Sequence, residues 1–134
     1  MADGSVNHIG IATTSLDQAE EIWNALGFVA SGDAVSQDQG VKIRYLEGAE
    51  RTRIELLEPL GEDTPVGRFI KQRGPGVQQI ALNVSDLQEK INELKTMGVR
   101  LITDEPVLGA DGHMIAFLHP SSCGGVLVEL IQDS

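Results

Sequence analysis

One cysteine, Cys123, stands in a chain of 134 residues, so no internal disulfide can form. That favours a reducing, intracellular compartment. No apolar run reaches membrane-spanning length, and the opening residues Met1 to Val6 carry no signal-peptide pattern. The expected location is the cytoplasm, or the mitochondrial matrix if a transit segment has been removed. Basic residues are also scarce: 10 Lys and Arg face 20 Asp and Glu, for a net charge of −10. A chain this acidic is expected to bind neither nucleic acid nor an anionic membrane, and it offers no general attraction to an anionic small molecule. Its basic residues are unevenly placed, however. Lys42, Arg44, Arg51, Arg53, Arg68, Lys71 and Arg73 all fall in one middle stretch, which is either solvated surface or a local phosphate-binding patch.

What is present is the composition of a globular protein, with 41 % hydrophobic and 22 % charged residues, and a length that suits one compact domain with a sizeable core. The chain also repeats itself. His8-Ile9-Gly10-Ile11-Ala12 reads like Gln79-Ile80-Ala81-Leu82-Asn83, 71 positions on, and the same offset aligns Ser15-Leu16-Asp17-Gln18 with Asp86-Leu87-Gln88-Glu89 and Leu26-Gly27-Phe28 with Met97-Gly98-Val99. Ile54-Glu55-Leu56-Leu57 resembles Val128-Glu129-Leu130-Ile131 at an offset of 74, which fits a loop insertion of three residues in the second half.

Each half has one layout. A short apolar strand is expected near 6–12 and 78–84. A helix follows, with Ser15 or Asp86 as N-cap and Gln18 or Glu89 completing a capping-box pattern. Leu16, Ala19, Trp23 and Leu26 recur at helical spacing, as do Leu87, Ile91, Leu94 and Met97; Gly27 and Gly98 sit where a left-handed residue would end each helix. Three more strands are expected near 28–34, 41–47 and 52–58, and again near 99–103, 113–118 and 125–131. Thr64 as N-cap, Pro65 as first helical residue and Gly74 as stop predict a short linking helix. The fold class is therefore α+β, with two tandem βαβββ modules (about 5–60 and 76–133, linking helix about 64–74). Neither module can bury its sheet alone, so the two are expected to pair as curved sheets enclosing a cavity in one domain, 1–134.

If a pseudo-twofold axis relates the halves, equivalent residues converge near it. His8 is then equivalent to Gln79, and Glu55 to Glu129, and all four side chains can ligate a metal. Strand parity agrees. His8, Gly10 and Ala12 share one face, as do Gln79 and Ala81, while the apolar alternates face the helices. Glu55 and Glu129 each interrupt an apolar strand, where an unpaired carboxylate is expensive to bury. Each residue alone is ordinary surface or structure; four at matched positions point to a shared cation. His113 is a weaker candidate for the cavity mouth. His119, before Pro120, and Cys123, in Ser-Ser-Cys-Gly-Gly with no basic partner nearby in sequence, read as loop residues.

The two-module architecture resembles the vicinal oxygen chelate superfamily, which includes glyoxalase I, extradiol dioxygenases and methylmalonyl-CoA epimerase. Asp104-Glu105-Pro106-Val107-Leu108-Gly109, Gly112, Ile115 to Pro120 and Gly124 to Leu130 are similar to the epimerase family, as are Asn7 to Ala12, Gln39-Gly40-Val41 and Arg53 to Gly61. The likeness spans about residues 6–132. It implies an isomerase that interconverts 2R- and 2S-methylmalonyl-CoA, or a close 2-alkylmalonyl-CoA, by removing and replacing the C2 proton through a metal-stabilised enolate. It implies a divalent ion at His8, Glu55, Gln79 and Glu129, with Glu129 also a base, and a homodimer. Gln79 stands where the family has histidine, which makes the site richer in oxygen and favours Co²⁺ or Mn²⁺ over Zn²⁺, Ni²⁺ or Mg²⁺. Some epimerases carry a second glutamate in the strand matching Val41 to Leu46; here that strand holds Lys42 and Arg44, and Glu47 at its end is the candidate. The alternatives are a glyoxalase I-like lyase or isomerase and a non-catalytic small-molecule-binding protein on the same fold.

Overall fold

The computed structural model describes residues 3–132. In chain order the first module runs β1 (Val6–Ala12), α1 (Leu16–Ala25), β2 (Val29–Ser36), β3 (Val41–Glu47) and β4 (Arg53–Pro59). Helix α2 (Pro65–Arg73) follows, and the second module runs β5 (Gly76–Val84), α3 (Leu87–Thr96), β6 (Val107–Leu108), β7 (Met114–Leu118) and β8 (Leu127–Gln132). The chain divides into two compact units, one spanning His8–Gln78 and the other joining the residues up to Asn7 to those from Gln79 on. In the first the strand order is β2-β3-β4-β1, with β1 parallel to β4 and the other pairs antiparallel. The second repeats this as β6-β7-β8-β5, with β5 parallel to β8. No helix among the described residues is long and apolar enough to cross a membrane.

The helices start and stop for local reasons that recur in both modules. Ser15 Oγ accepts the Gln18 N–H and the Asp86 carboxylate accepts the Glu89 N–H, each satisfying an orphan donor of the first turn. A second orphan is taken by the last strand of the same module: Leu16 N–H donates to Glu58 at 3.1 Å and Leu87 N–H to Gln132 at 2.9 Å. Gly27 (φ 103°) and Gly98 (φ 81°) end the helices in the left-handed region. Phe28 N–H then reaches Trp23 O, and Val99 N–H reaches Leu94 O, the longer bonds of Schellman ends. In the first module the accompanying apolar contact is aromatic, Trp23 edge-on to Phe28 with centroids 5.5 Å apart.

Alternation along the strands sends side chains to two faces. In the first unit Leu16, Leu46, Ile54 and Leu56 pack with Ile11, Ala19 and Trp23 beneath α1. On the other face Ala12, Val41, Ile43 and Leu57 pack with Val66, Phe69 and Ile70 of α2, beside Tyr45. In the second unit Leu87, Ile91, Ala116 and Leu130 form the core under α3, and Ala81, Ile115, Ile131 and Phe117 cluster on the other face. Each fully buried aliphatic side chain contributes about 1.5–3 kcal/mol.

One expected strand is reduced. Residues 99–103 form no strand; Leu101 makes an isolated bridge to Leu118, and pairing resumes only at Val107 opposite Ile115. The chain thus spends six positions against three on β7. Pro106 has no N–H to donate to a ladder, and Phe117 N–H instead donates to the Thr103 hydroxyl oxygen at 2.8 Å. The offset of 74 is also not one insertion. Two extra residues lie between Leu118 and Val128, ten positions apart, whereas Leu46 and Ile54, paired in the same way, are eight apart. The third is the balance of the long bulge before β6 and a shorter hairpin after it.

Candidate functional site

Among the described residues four polar or charged side chains are buried: His8, Gln79, Asn83 and Glu129. Three of them belong to the set picked out by the repeat, and Glu55 is close behind with 13 % of its side chain exposed. Parallel pairing places Gly10 opposite Glu55 and Ala81 opposite Glu129. His8 and Gln79 each stand two residues earlier on the same strand face, within diagonal reach of the glutamate. The contacts are made in both modules. His8 Nδ1 lies 3.2 Å from Glu55 Oε2, and Gln79 Nε2 donates to Glu129 Oε1 at 2.6 Å. On its other side each glutamate faces an aromatic residue, Tyr45 opposite Glu55 and Phe117 opposite Glu129.

These contacts define which atoms remain for an ion. A proton on His8 Nδ1 shared with Glu55 leaves the Nε2 lone pair as the imidazole ligand atom, the usual arrangement behind a metal-bound histidine. Gln79 uses its N–H on Glu129, which leaves its carbonyl oxygen as the atom able to meet an ion. Each pair by itself offers one neutral donor and one carboxylate, and imidazole, amide oxygen and carboxylate are donor types that suit a divalent ion of intermediate hardness. Among the described residues no three His, Cys, Asp or Glu side chains gather as a metal-holding group, so the structure groups the donors only pair by pair.

Glu47 differs from the other four. It ends β3, is 53 % exposed, and lies 3.8 Å from Arg53 Nε, so its carboxylate faces water and a cation. His113 sits in the β6–β7 hairpin beside Asp111 at 3.2 Å, 43 % exposed. His119 caps the turn at Pro120, its Nδ1 accepting Ser121 N–H, and burial pushes the Cys123 thiol up from its ordinary pKa, which makes it a poor nucleophile. Much of the basic stretch is already engaged. Arg44 meets Asp33, Asp17 and Glu20, Arg68 meets Asp63, and Arg73 lies over the Phe69 ring. Arg68 and Lys71 share a pocket of about 440 Å³ with Glu62, Asp63 and Gln72, a mixed lining rather than a basic one.

Two residues escaped the sequence reading. Asn83, buried on the Gln79 face, accepts the Asn7 amide at 2.9 Å and donates to Ser5 Oγ at 3.1 Å. Its repeat equivalent is Ala12, so the repeat itself hid it. Tyr45 shares the face of Val41 and Ile43, a parity that β3 did announce.

The model of the Glyoxalase/Bleomycin resistance protein/Dioxygenase superfamily matches residues 7–117, which agrees with the duplicated βαβββ topology and the paired residues on its sheet faces. A methylmalonyl-CoA epimerase of Dictyostelium discoideum mitochondria is 37 % identical over 95 % of this chain and 77 % of its own. The crystal structure of methylmalonyl-CoA epimerase from Mycobacterium tuberculosis superposes with a TM-score of 0.93 at 35 % identity, covering 98 % of this chain and 89 % of that one. A methylmalonyl-CoA epimerase in complex with methylmalonyl-CoA and NH₄⁺ gives 0.89 at 36 % identity, covering 96 % and 94 %. The chain belongs to the methylmalonyl-CoA epimerase family, a group of isomerases within that superfamily.

Proposed function

We propose that this chain interconverts 2R- and 2S-methylmalonyl-CoA, with Glu129 as a base at C2. The observation that carries the reading is the buried Gln79–Glu129 pair on a face whose neighbours are small or apolar. A carboxylate kept there at the expense of burial has a task beyond solubility. Family membership points to the substrate, since the structure of one relative is a complex with methylmalonyl-CoA.

The C2 proton of the substrate lies between a thioester carbonyl and a carboxylate, so its removal spreads charge onto oxygen. Gln79 holds one Glu129 oxygen through its N–H, which fixes the plane of the carboxylate and presents the other oxygen to the proton. His8, Glu55, Gln79 and Glu129 would hold a divalent ion, Co²⁺ or Mn²⁺ before Zn²⁺, Ni²⁺ or Mg²⁺, and when bound it supplies Lewis-acid stabilisation of the substrate oxygens. The lone, partly buried Cys123 agrees with a reducing compartment, the cytoplasm or the mitochondrial matrix. The homodimer expected from the family belongs to the same reading.

Proton NMR of methylmalonyl-CoA in D₂O tests it. The C2 proton signal is expected to vanish with enzyme and Co²⁺ or Mn²⁺, and to persist with Glu129→Gln, which removes the base but keeps a group able to meet Gln79. Persistence of the signal with the unaltered protein and every ion sinks the epimerase reading in favour of another substrate or a binding role.

A further inference from the structure

Three groups besides the proton share C2 of a 2-alkylmalonyl thioester: a thioester carbonyl, a carboxylate and an alkyl branch. The first two are oxygen acceptors that need donors or a cation. The branch is apolar and gains by leaving water. The face of the second unit that carries Glu129 is divided in the same way. On the β5 side the buried amide of Gln79 donates to the carboxylate. On the β7 side Phe117 stands directly opposite Glu129, and in the next row Ile131 pairs with Ile115, which pairs with Val107. Ile115 and Ile131 are buried, and Phe117 packs against them half-buried, with part of its surface left exposed. The first module differs at the matched place, where Tyr45 faces Glu55. A phenol there ends in a hydroxyl, whereas the ring of Phe117 is apolar to its tip.

Resting on the epimerase reading, with Glu129 as base, we propose that Phe117 sets the size of the alkyl branch that this chain accepts at C2. Directly opposite residues on antiparallel strands have Cβ atoms about 4.5–5.5 Å apart, so the Phe117 ring rises beside the Glu129 carboxylate. A base takes a proton from a carbon about 3–3.5 Å away. The first carbon of the branch is bonded to that same C2, which brings it into van der Waals range of the ring. Two residues flank Glu129 in register, Ala81 on β5 and Phe117 on β7. Ala81 is fully buried and ends at a single methyl, so of the two Phe117 is the one with side-chain surface to offer. Ile115 and Ile131 support the ring from behind. A methyl branch lies against the ring, whereas each further methylene has to push it towards those buried side chains.

A competition experiment tests the assignment. Methylmalonyl-CoA and ethylmalonyl-CoA are mixed in D₂O with Co²⁺ and either wild type, Phe117→Leu, Phe117→Ala or Leu118→Val. Loss of each C2 proton is followed by NMR and corrected for the rate without protein. Both substrates share one tube, so the ratio of their rates does not depend on how much of a variant is folded. Wild type is expected to favour methylmalonyl-CoA. Phe117→Leu and Phe117→Ala are expected to move the ratio towards ethylmalonyl-CoA by about 10-fold or more, the discrimination that one methylene commands in an apolar pocket. Leu118→Val, one residue along β7 but in the core under α3, is expected to lower the melting temperature and leave the ratio alone. An unchanged ratio in both Phe117 variants overturns the assignment, as does an equal shift in Leu118→Val or a wild type indifferent to the branch. Loss of both exchanges in Phe117→Leu also overturns it, and would make the ring a support for Glu129 instead of a size filter. A wild type that exchanges neither substrate overturns the epimerase reading itself, and the assignment falls with it.

Discussion

Gln79 and Glu129 share a buried hydrogen bond of 2.6 Å, with the amide donating to the carboxylate. At the matched place in the other module His8 and Glu55 stand 3.2 Å apart. Both contacts run diagonally between parallel strands, from the residue two before the one facing the glutamate. They differ in the partner's chemistry: Glu55 meets an imidazole nitrogen, whereas Glu129 meets a neutral amide N–H.

That asymmetry predicts how substitutions at 79 behave. Gln79→Leu removes an amide donor from a buried carboxylate and is expected to destabilise by about 1–3 kcal/mol, because the desolvated oxygen loses that hydrogen bond. Gln79→His keeps an N–H donor and adds an imidazole, so it is expected to fold normally and to bind Zn²⁺ about tenfold more tightly. Thermal melts check the first and calorimetric titration the second. Unchanged stability in Gln79→Leu would mean that Glu129 finds its support elsewhere.

The first pair makes a different prediction. If Glu55 fixes the tautomer of His8 through Nδ1, then Glu55→Leu is expected to weaken Co²⁺ or Mn²⁺ binding by about 10–100-fold. Glu55→Gln retains an acceptor for Nδ1–H and is expected to lose less. Equal losses in the two variants, measured by titration, would show that the charge of Glu55 matters and its orientation of His8 does not.

The duplication made most of this legible in advance. Capping residues, glycine stops and apolar spacing depend on neighbours within a few positions, and both modules formed where Ser15, Asp86, Gly27 and Gly98 placed them. The buried or nearly buried places of His8, Glu55, Gln79 and Glu129 were legible because the repeat supplied a second copy of each position, and strand parity supplied a face. What was not legible lacked a counterpart. Asn83 is matched by Ala12, and Tyr45 by Phe117. The segment 99–103 looked like a strand because Val99, Leu101 and Ile102 are apolar, but a strand also needs a partner in register. The bulge leading to Pro106 removed it.

Asn83 is expected to matter as an anchor. It ties Asn7 and Ser5, the residues just before His8, to β5 through two side-chain bonds and one backbone bond, Asn83 N–H to Ser5 O at 2.9 Å. Asn83→Leu keeps the volume but removes both side-chain hydrogen bonds, at about 1–3 kcal/mol. Hydrogen exchange should quicken at residues 5–8 while α1 and α3 stay protected. Quickening spread evenly over the chain would assign Asn83 to global stability instead.

Arg44 is the converse case, a cation enclosed by acids. Its guanidinium donates to both Asp33 oxygens, Nε to Oδ1 and Nη2 to Oδ2, each at 2.9 Å, and Nη1 meets Asp17 at 2.7 Å and Glu20 at 3.0 Å, so it clamps α1 to β2 and β3. These bonds hold the Arg44 pKa above its ordinary value. The hydrogen bond from Arg44 holds the Asp33 carboxyl below its usual value of 3.8, with the charges of Arg44 and Lys42 adding to it. A depressed folded pKa contributes stability that is fully present above the unfolded value and is lost as pH falls through the folded one. Arg44→Met is therefore expected to cost a constant amount between pH 5 and 8, about 1–2 kcal/mol after discounting for the exposure of Asp17 and Asp33. The deficit relative to wild type should shrink once pH falls below about 4. Arg44→Lys is expected to recover only part of it, since a single ammonium cannot reproduce the two-nitrogen contact with Asp33. Denaturant melts across pH 2.5–8 check the shape; a deficit that persists undiminished at the acid end would mean that Arg44 stabilises by packing its alkyl stem and not through Asp33.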